Sequence, residues 1–112
     1  MLLLLTMATV EHIQQIKKSA DTVYKLQDYT SATILYFKTL FAIHDYKLLK
    51  KIGKAPKDHT ERFKLLKEEF PQSYRELDME FNTYRNTYNR NIDKETCDRI
   101  KIIIENELTT LH

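Results

Sequence analysis

The chain has 112 residues, of which 18 are Lys or Arg and 16 are Asp or Glu, for a net charge of +2 with neutral histidines. A chain of this length is expected to form one domain and to bury about two-thirds of its unfolded surface without disulfides or metal. The charge is too small to predict nucleic-acid binding, which must be argued from local clusters. One Gly and two Pro leave little material for hairpin turns, so the sequence predicts an all-α protein.

The N-terminal segment looks like the start of a signal peptide but lacks two of the features that one needs. The apolar run from Met1 to Leu5 has no basic residues before it and is shorter than the ~7–15 apolar residues of a signal peptide. No stretch approaches the ~20 apolar residues of a membrane-spanning helix. We expect residues 1–8 to be a flexible extension, with Met1 or Met7 as the start, and residues 9–112 to form one helical domain.

The single cysteine bears on the compartment. Cys97 has no partner for an intrachain disulfide, which favours a cytoplasmic protein. It lies on an apolar helix face and is predicted to be a small core residue.

The first two helices are predicted from apolar residues that recur every three or four positions. The first helix covers about residues 9–27. The second follows a cap at Asp28 or Thr30, runs to about Ile52 and ends at Gly53, which suits a left-handed C-terminal cap. Its apolar residues form two rows, so we expect it either to be contacted by other helices on two sides or to present one row to a second subunit.

A linker, residues 53–57, precedes a short third helix. Asp58 and Glu61 have the spacing of a capping box, in which each side chain accepts a hydrogen bond from a free backbone amide. His59 is expected to belong to the helix start and its packing. The helix ends before Pro71, because proline suits the first turn of a new helix.

The fourth helix carries the most informative residues. It has a second predicted capping box at residues 73–76 and is expected to run to Asn91. Asp93 then caps a fifth helix that reaches Leu111. The apolar stripe of the fourth helix, which we expect to face the core, consists of Tyr74, Leu77, Phe81, Tyr84 and Tyr88.

The connections between these helices predict their arrangement. Short loops make successive helices antiparallel neighbours. The expected fold is therefore an all-α, up-and-down antiparallel bundle of four long helices plus one short helix. Each long helix, of ~20 residues, would span ~30 Å.

Several kinds of site are excluded by the residue types present. The four histidines share no ligand spacing and there is one cysteine, so we expect no metal site. A single glycine cannot build a phosphate-binding loop or a nucleophile elbow. We therefore expect no cofactor.

Lysines cluster around the end of the second helix, with no acidic residue until Asp58. They are Lys47, Lys50, Lys51, Lys54 and Lys57. One interpretation is favourable charge at a helix C-terminus and in a solvated loop, worth ~0.3–1 kcal/mol for each lysine. The other is a phosphate-attracting patch for RNA, formed by Lys50, Lys51 and Lys54.

The polar side of the fourth helix carries amides and guanidiniums where Lys and Glu are usual. These residues are Asn82, Arg85, Asn86, Asn89, Arg90 and Asn91. Arg85 and Arg90 lie roughly 140° apart around a regular helix. They reach one ligand only if the helix loosens near residues 89–91 or if a second subunit completes the site.

Three motifs occur in order along residues 12–108. They are Asp28-Tyr29-x-x-Ala32-x-x-Leu35-Tyr36-Phe37-Lys38-x-Leu40-Phe41, His59-x-x-Arg62-Phe63-x-Leu65-Leu66, and Phe70-Pro71 leading into Tyr84-Arg85-Asn86-x-Tyr88. Within a five-helix plan, this order resembles the HEPN superfamily of small helical-bundle proteins. Many members of that family are metal-independent RNases, toxins or toxin-like modules, in which the motifs of two subunits meet across a dimer.

The resemblance implies roles for individual residues. Arg85 matches the arginine of the family's signature, and Asn86 matches the polar residue that follows it. The family's histidine would stand at Arg90 or at Asn91, and no histidine follows before His112. Histidine moves protons near neutral pH whereas arginine stays protonated, so the resemblance implies that RNA binding is kept and cleavage is lost.

We therefore predict a HEPN-like, non-catalytic, homodimeric protein that associates with RNA or a nucleotide. Arg85, Asn86, Tyr88 and Arg90 would contact RNA, and the resemblance implies a nucleotidyltransferase-type antitoxin as a partner. One alternative is a metal-independent RNase toxin that uses Arg85 and Asn86 with Tyr88 or a distant histidine. Another is a structural module that docks a second protein on the apolar face of the second helix.

Overall fold

The computed structural model describes residues 9–111 and consists of five α-helices. They are α1 (Val10–Lys25), α2 (Tyr29–Ile52), α3 (His59–Glu69), α4 (Pro71–Asn86) and α5 (Lys94–Thr109). These residues contain no β-strand, which confirms the all-α prediction, and α3, with 11 residues, is the short helix. The predicted extension, residues 1–8, lies outside the described residues. Within residues 9–111, no helix is long and apolar enough to cross a membrane.

The helix boundaries follow from capping side chains. Asp28, Asp58 and Asp93 each accept a hydrogen bond from a backbone N–H of the first turn, at 3.1, 2.8 and 2.8 Å. Such caps satisfy amides that have no partner within the helix. At the other end of α2, Gly53 adopts a left-handed conformation with φ of 73°, and its N–H donates to the Leu49 carbonyl at 3.0 Å. These predicted caps are confirmed.

Helix α2 lies at the centre of the fold, where it contacts each of the other four helices. Its side chains Phe37, Ile43 and Leu48 are fully buried. The fully buried apolar residues of the other helices are Ile13 and Ala20 of α1, Leu66 of α3, Leu77 of α4, and Cys97, Ile100 and Ile104 of α5. The prediction that neighbouring helices contact α2 on two sides is confirmed, and so is the core position of Cys97.

The prediction that α4 continues to Asn91 is wrong, because the helix ends at Asn86 and the chain turns. The Thr87 hydroxyl donates to a carbonyl within α4 at 2.6 Å, and the Ile92 N–H donates to the Thr30 hydroxyl at 2.8 Å. Tyr88 lies in this turn, where its ring still contacts that of Tyr84. Its side chain is 75% exposed and does not belong to the core, contrary to the sequence-based expectation.

The second predicted capping box is also wrong. Helix α4 begins at Pro71 without a side-chain cap. The Ser73 hydroxyl instead donates to the Glu107 carboxylate at 2.7 Å. The Ser73 hydroxyl is therefore bound to a residue of α5 and does not cap the start of α4. The first helix, similarly, ends at Lys25 and not at Gln27, whose φ is 64°.

Candidate functional site

An aromatic cluster joins α2, α3 and α4 beneath the C-terminal end of α4. Tyr84 is at its centre, with ring centroids 5.4 Å from Phe37, 5.0 Å from Phe41 and 5.3 Å from Phe81. The rings are tilted or meet edge to face, an arrangement that contributes about 0.5–1.5 kcal/mol per pair beyond burial. His59, the first residue of α3, lies 4.6 Å from Phe41, which confirms its expected role in packing. The cluster holds Tyr84 in a fixed position.

Tyr88 extends this cluster into the solvent. Its ring centroid lies 5.6 Å from that of Tyr84, and the two hydroxyls share a hydrogen bond of 2.7 Å. Burial and this hydrogen bond raise the pKa of Tyr84 to about 12, so its phenol is neutral at physiological pH. Tyr88 is thus an exposed aromatic ring that the half-buried Tyr84 positions.

A cavity of about 330 Å³ lies beside Tyr88. It is lined by Ile34, Lys38, Phe41, Tyr84, Thr87 and Tyr88. The walls are mainly aliphatic and aromatic, and Lys38 is the one cation among them. Apolar walls with a few placed polar groups are typical of small-molecule and cofactor sites. We call this the Tyr88 cavity.

Arg85, Asn86 and Arg90 lie along the same segment as Tyr88 but do not line its cavity. The Arg85 guanidinium lies over the Phe81 ring, 5.6 Å from its centroid, and donates to an amide oxygen of α4 at 2.7 Å. Asn86 is the last residue of α4, and its carbonyl accepts a hydrogen bond from the Arg90 N–H at 2.9 Å. Arg85 and Arg90 are exposed and contact no carboxylate of residues 9–111.

The lysines at the end of α2 form a separate group. Lys51 contacts the Glu69 carboxylate at 3.4 Å, and Lys54 contacts that of Glu61 at 3.9 Å. Lys50 lies over an aromatic ring of α2. None of these three lysines lines the Tyr88 cavity. Exposed ion pairs contribute little stability, so these side chains are only weakly held, and their phosphate-binding role stays a prediction.

A buried polar group lies behind the aromatic cluster. Arg62 donates to the Asp45 carboxylate at 2.8 Å and to the Phe41 carbonyl at 3.0 Å, and its guanidinium lies over the Phe41 ring. Burial, and then the charge of Arg62, lower the pKa of His44 to about 3, so this histidine is neutral. The same two causes lower the pKa of His59. The motif His59-x-x-Arg62 is evident in the sequence, but no local pattern indicates the ion pair between Arg62 and Asp45.

A second polar cluster, which the sequence did not predict, joins α2, α4 and α5. The Lys47 ammonium donates to the Glu107 carboxylate and to the Ser73 hydroxyl, both at 2.9 Å. Burial, followed by the hydrogen bond and the charge of Glu107, raises the pKa of Glu76 to about 7. A cavity of about 470 Å³ lies beside these groups. The sequence contains one indication of this cluster, which is Glu107, a carboxylate at an apolar position of the α5 pattern.

No metal site or relative identifies the function. Residues 9–111 contain no group of three or more His, Cys, Asp or Glu side chains that could hold a metal ion. Comparisons with protein families, with curated proteins and with solved structures give no match to this chain. What the protein binds must therefore be inferred from the chemistry of its own side chains.

Proposed function

We propose that the protein binds single-stranded RNA or a nucleotide through Tyr88 and its cavity. The observation that carries this proposal is a 75% exposed tyrosine, held by Tyr84, beside a cavity that Lys38 lines. Proteins hold single-stranded nucleic acid by stacking a base on such a ring while a cation pairs with the phosphate. Stacking contributes about 1–3 kcal/mol per base and favours no particular sequence.

The nearby cations support the same ligand. Lys38 is exposed and, like Arg85 and Arg90, contacts no carboxylate of the described residues. Cations that are not neutralised by the protein can pair with phosphates and release counterions, which gives affinity without sequence choice. An uncharged apolar ligand would use the cavity walls but would leave these charges unpaired.

We further propose that the chain is a HEPN-like, up-and-down antiparallel bundle that acts as a cytoplasmic homodimer without cleaving RNA. This rests on the resemblance of the motifs around His59 and Arg85. Arg90 stands where the family carries its histidine, and an arginine does not exchange protons near neutral pH. A nucleotidyltransferase, acting as antitoxin, would be the protein partner.

Replacing Tyr88 by alanine is expected to weaken the binding of a fluorescent oligouridylate about tenfold, because the base loses its stacking partner. Tyr88→Phe keeps the ring and should bind within about twofold of the wild type. Fluorescence anisotropy, measured at low and at raised salt, reports the affinity and its expected salt dependence.

The matched control is Met79→Ala, which removes an exposed apolar side chain of α4, 79% exposed. It should leave the affinity unchanged. Equal affinity of Tyr88→Ala and the wild type would refute the proposed site, and binding that is insensitive to salt would exclude phosphate contacts.

A metal-independent RNase is the second candidate, since His59 and Arg85 both pack against Phe81. The His59 ring centroid is 5.3 Å from that of Phe81, and the Arg85 guanidinium lies over the same ring. Burial, with the charge of Arg62, lowers the pKa of His59, which keeps its imidazole neutral and available as a base, although a weaker one than an exposed histidine. His59 would then supply the proton transfer that Arg90 cannot.

Incubation with total RNA in the presence of a chelator separates the two candidates. The binding protein is expected to leave the RNA intact at concentrations at which it binds. An RNase would degrade it, and both His59→Asn and Arg85→Ala would stop the degradation. Arg85 is exposed, so its variant should fold normally. Degradation that neither substitution changes would exclude this site as the nuclease.

A further inference from the structure

A second groove lies on the other side of Lys38, between α1 and α2. Its volume is about 260 Å³, and its lining residues are His12, Gln15, Ile16, Ser19, Leu35 and Lys38. Lys38 also lines the Tyr88 cavity. On α2, Ile34 belongs to the lining of the Tyr88 cavity and Leu35 to that of the groove, and both lie within one turn of Lys38. The two depressions therefore adjoin at this lysine.

The groove and the cavity differ in chemistry. In the groove, Ile16 and Leu35 supply apolar surface, while the Gln15 amide and the Ser19 hydroxyl can donate and accept hydrogen bonds. The Tyr88 cavity offers an aromatic wall instead. Lys38 lines both depressions, and no carboxylate of residues 9–111 neutralises it. The order along the surface is aromatic, cationic and polar.

This order matches the covalent order of a nucleic-acid strand. In a dinucleotide, an anionic phosphodiester lies between two nucleosides, each of which has a flat base and hydrogen-bonding groups. A free nucleotide could occupy the Tyr88 cavity and reach Lys38, but it would leave the polar groove empty. The groove adds binding surface only for a ligand that continues past the phosphate.

We propose that the site takes at least two consecutive nucleotides of a single strand. One base stacks on Tyr88, the linking phosphate pairs with Lys38, and the next nucleoside lies in the α1–α2 groove beside Gln15. This inference rests on the proposed function and makes it more specific, since single-stranded RNA, and not a free mononucleotide, becomes the ligand.

The test compares adenosine monophosphate with the 5′-phosphorylated adenylate dinucleotide, by isothermal titration calorimetry on the full chain. The dinucleotide is expected to bind about tenfold more tightly, the effect of one or two additional hydrogen bonds. Gln15→Glu places a negative charge in the groove and should weaken dinucleotide binding more than mononucleotide binding, because only the dinucleotide reaches the groove. Some loss for the mononucleotide is also expected, because Lys38 lines the same groove. Gln14→Glu is the matched control, because Gln14 is exposed on the same helix and lies outside the groove.

The outcomes separate this inference from the proposed function. Equal affinities for the two ligands, or equal effects of Gln15→Glu and Gln14→Glu, would overturn the two-nucleotide site. The Tyr88 site would survive that result if Tyr88→Ala still weakened mononucleotide binding. If neither ligand bound the wild type, the proposed function and this extension would both be wrong.

Discussion

Replacing Lys47 by methionine is expected to lower the free energy of unfolding by about 3 kcal/mol at pH 7. The ammonium contacts Glu107 and Ser73, and the Lys47 and Glu107 side chains are only 12% and 5% exposed. Without Lys47, the Glu107 carboxylate stays buried near Glu76 with no cation to compensate it. Breaking a buried pair costs more than the pair contributes, because the remaining charge has lost its hydration.

Urea unfolding followed by far-UV circular dichroism measures this loss. Lys50→Met, at an exposed position one turn further along α2, is the matched control and should change stability by less than about 0.5 kcal/mol. Adding Glu107→Gln to Lys47→Met should recover much of the loss, since the amide carries no charge. If Lys47→Met were as stable as Lys50→Met, the cluster would not contribute to stability in the way we infer.

The sequence predicted those features of the fold that depend on neighbours along the chain. Asp28, Asp58 and Asp93 each bond an amide three residues ahead, so their roles as caps could be predicted from a few adjacent residues. Gly53 is similar, because the left-handed conformation that ends α2 suits glycine above other residues. Apolar spacing then located the five helices.

The wrong predictions concern groups whose partners lie far away in the sequence. Ser73 and Glu76 have the spacing of a capping box, yet the Ser73 hydroxyl bonds Glu107, 34 residues later. The turn after Asn86 is held partly by the bond between the Ile92 N–H and Thr30, 62 residues apart. A local pattern contains no information on such contacts, which depend on how the helices pack.

The residues of the candidate site also divide into those that the local sequence indicates and those that depend on how the helices pack. The sequence indicates one segment, which contains Arg85, Asn86, Tyr88 and Arg90, and the structure places Tyr88 at a cavity. Tyr88 itself lies in the unpredicted turn and is exposed there. Lys38, which completes the site, lies some fifty residues earlier on α2, and its place beside Tyr88 depends on the packing of α4 against α2.

Glu76 is expected to make the protein less stable as the pH rises above 5. Burial, with the hydrogen bond and charge of Glu107, raises its pKa from 4.5 to about 7. Between these values the folded state binds more protons than the unfolded state, so the free energy of unfolding falls with rising pH. We expect a loss of about 2 kcal/mol, which is less than the whole shift implies because water partly screens this carboxyl. Although burial acts in the opposite direction, hydrogen bonds from Glu76, Lys47 and Ser73 lower the pKa of Glu107. The contribution of Glu107 to stability is therefore lost only at acidic pH.

The variant Glu76→Gln isolates this effect. Its amide can still donate to Glu107 but does not ionise, so the variant should match the wild type near pH 5 and exceed its stability by about 2 kcal/mol near pH 8. His44, whose pKa is lowered in the folded state, also makes the protein more stable as the pH rises towards the ordinary pKa of histidine. This contribution is equal in both proteins, so it cancels in the difference between their urea midpoints. Asp78→Asn, at an exposed position of α4, is the control and should follow the wild type at every pH. Parallel pH profiles for Glu76→Gln and the wild type would show that Glu76 is already ionised at pH 5. Glu107 would then not keep the Glu76 carboxyl protonated.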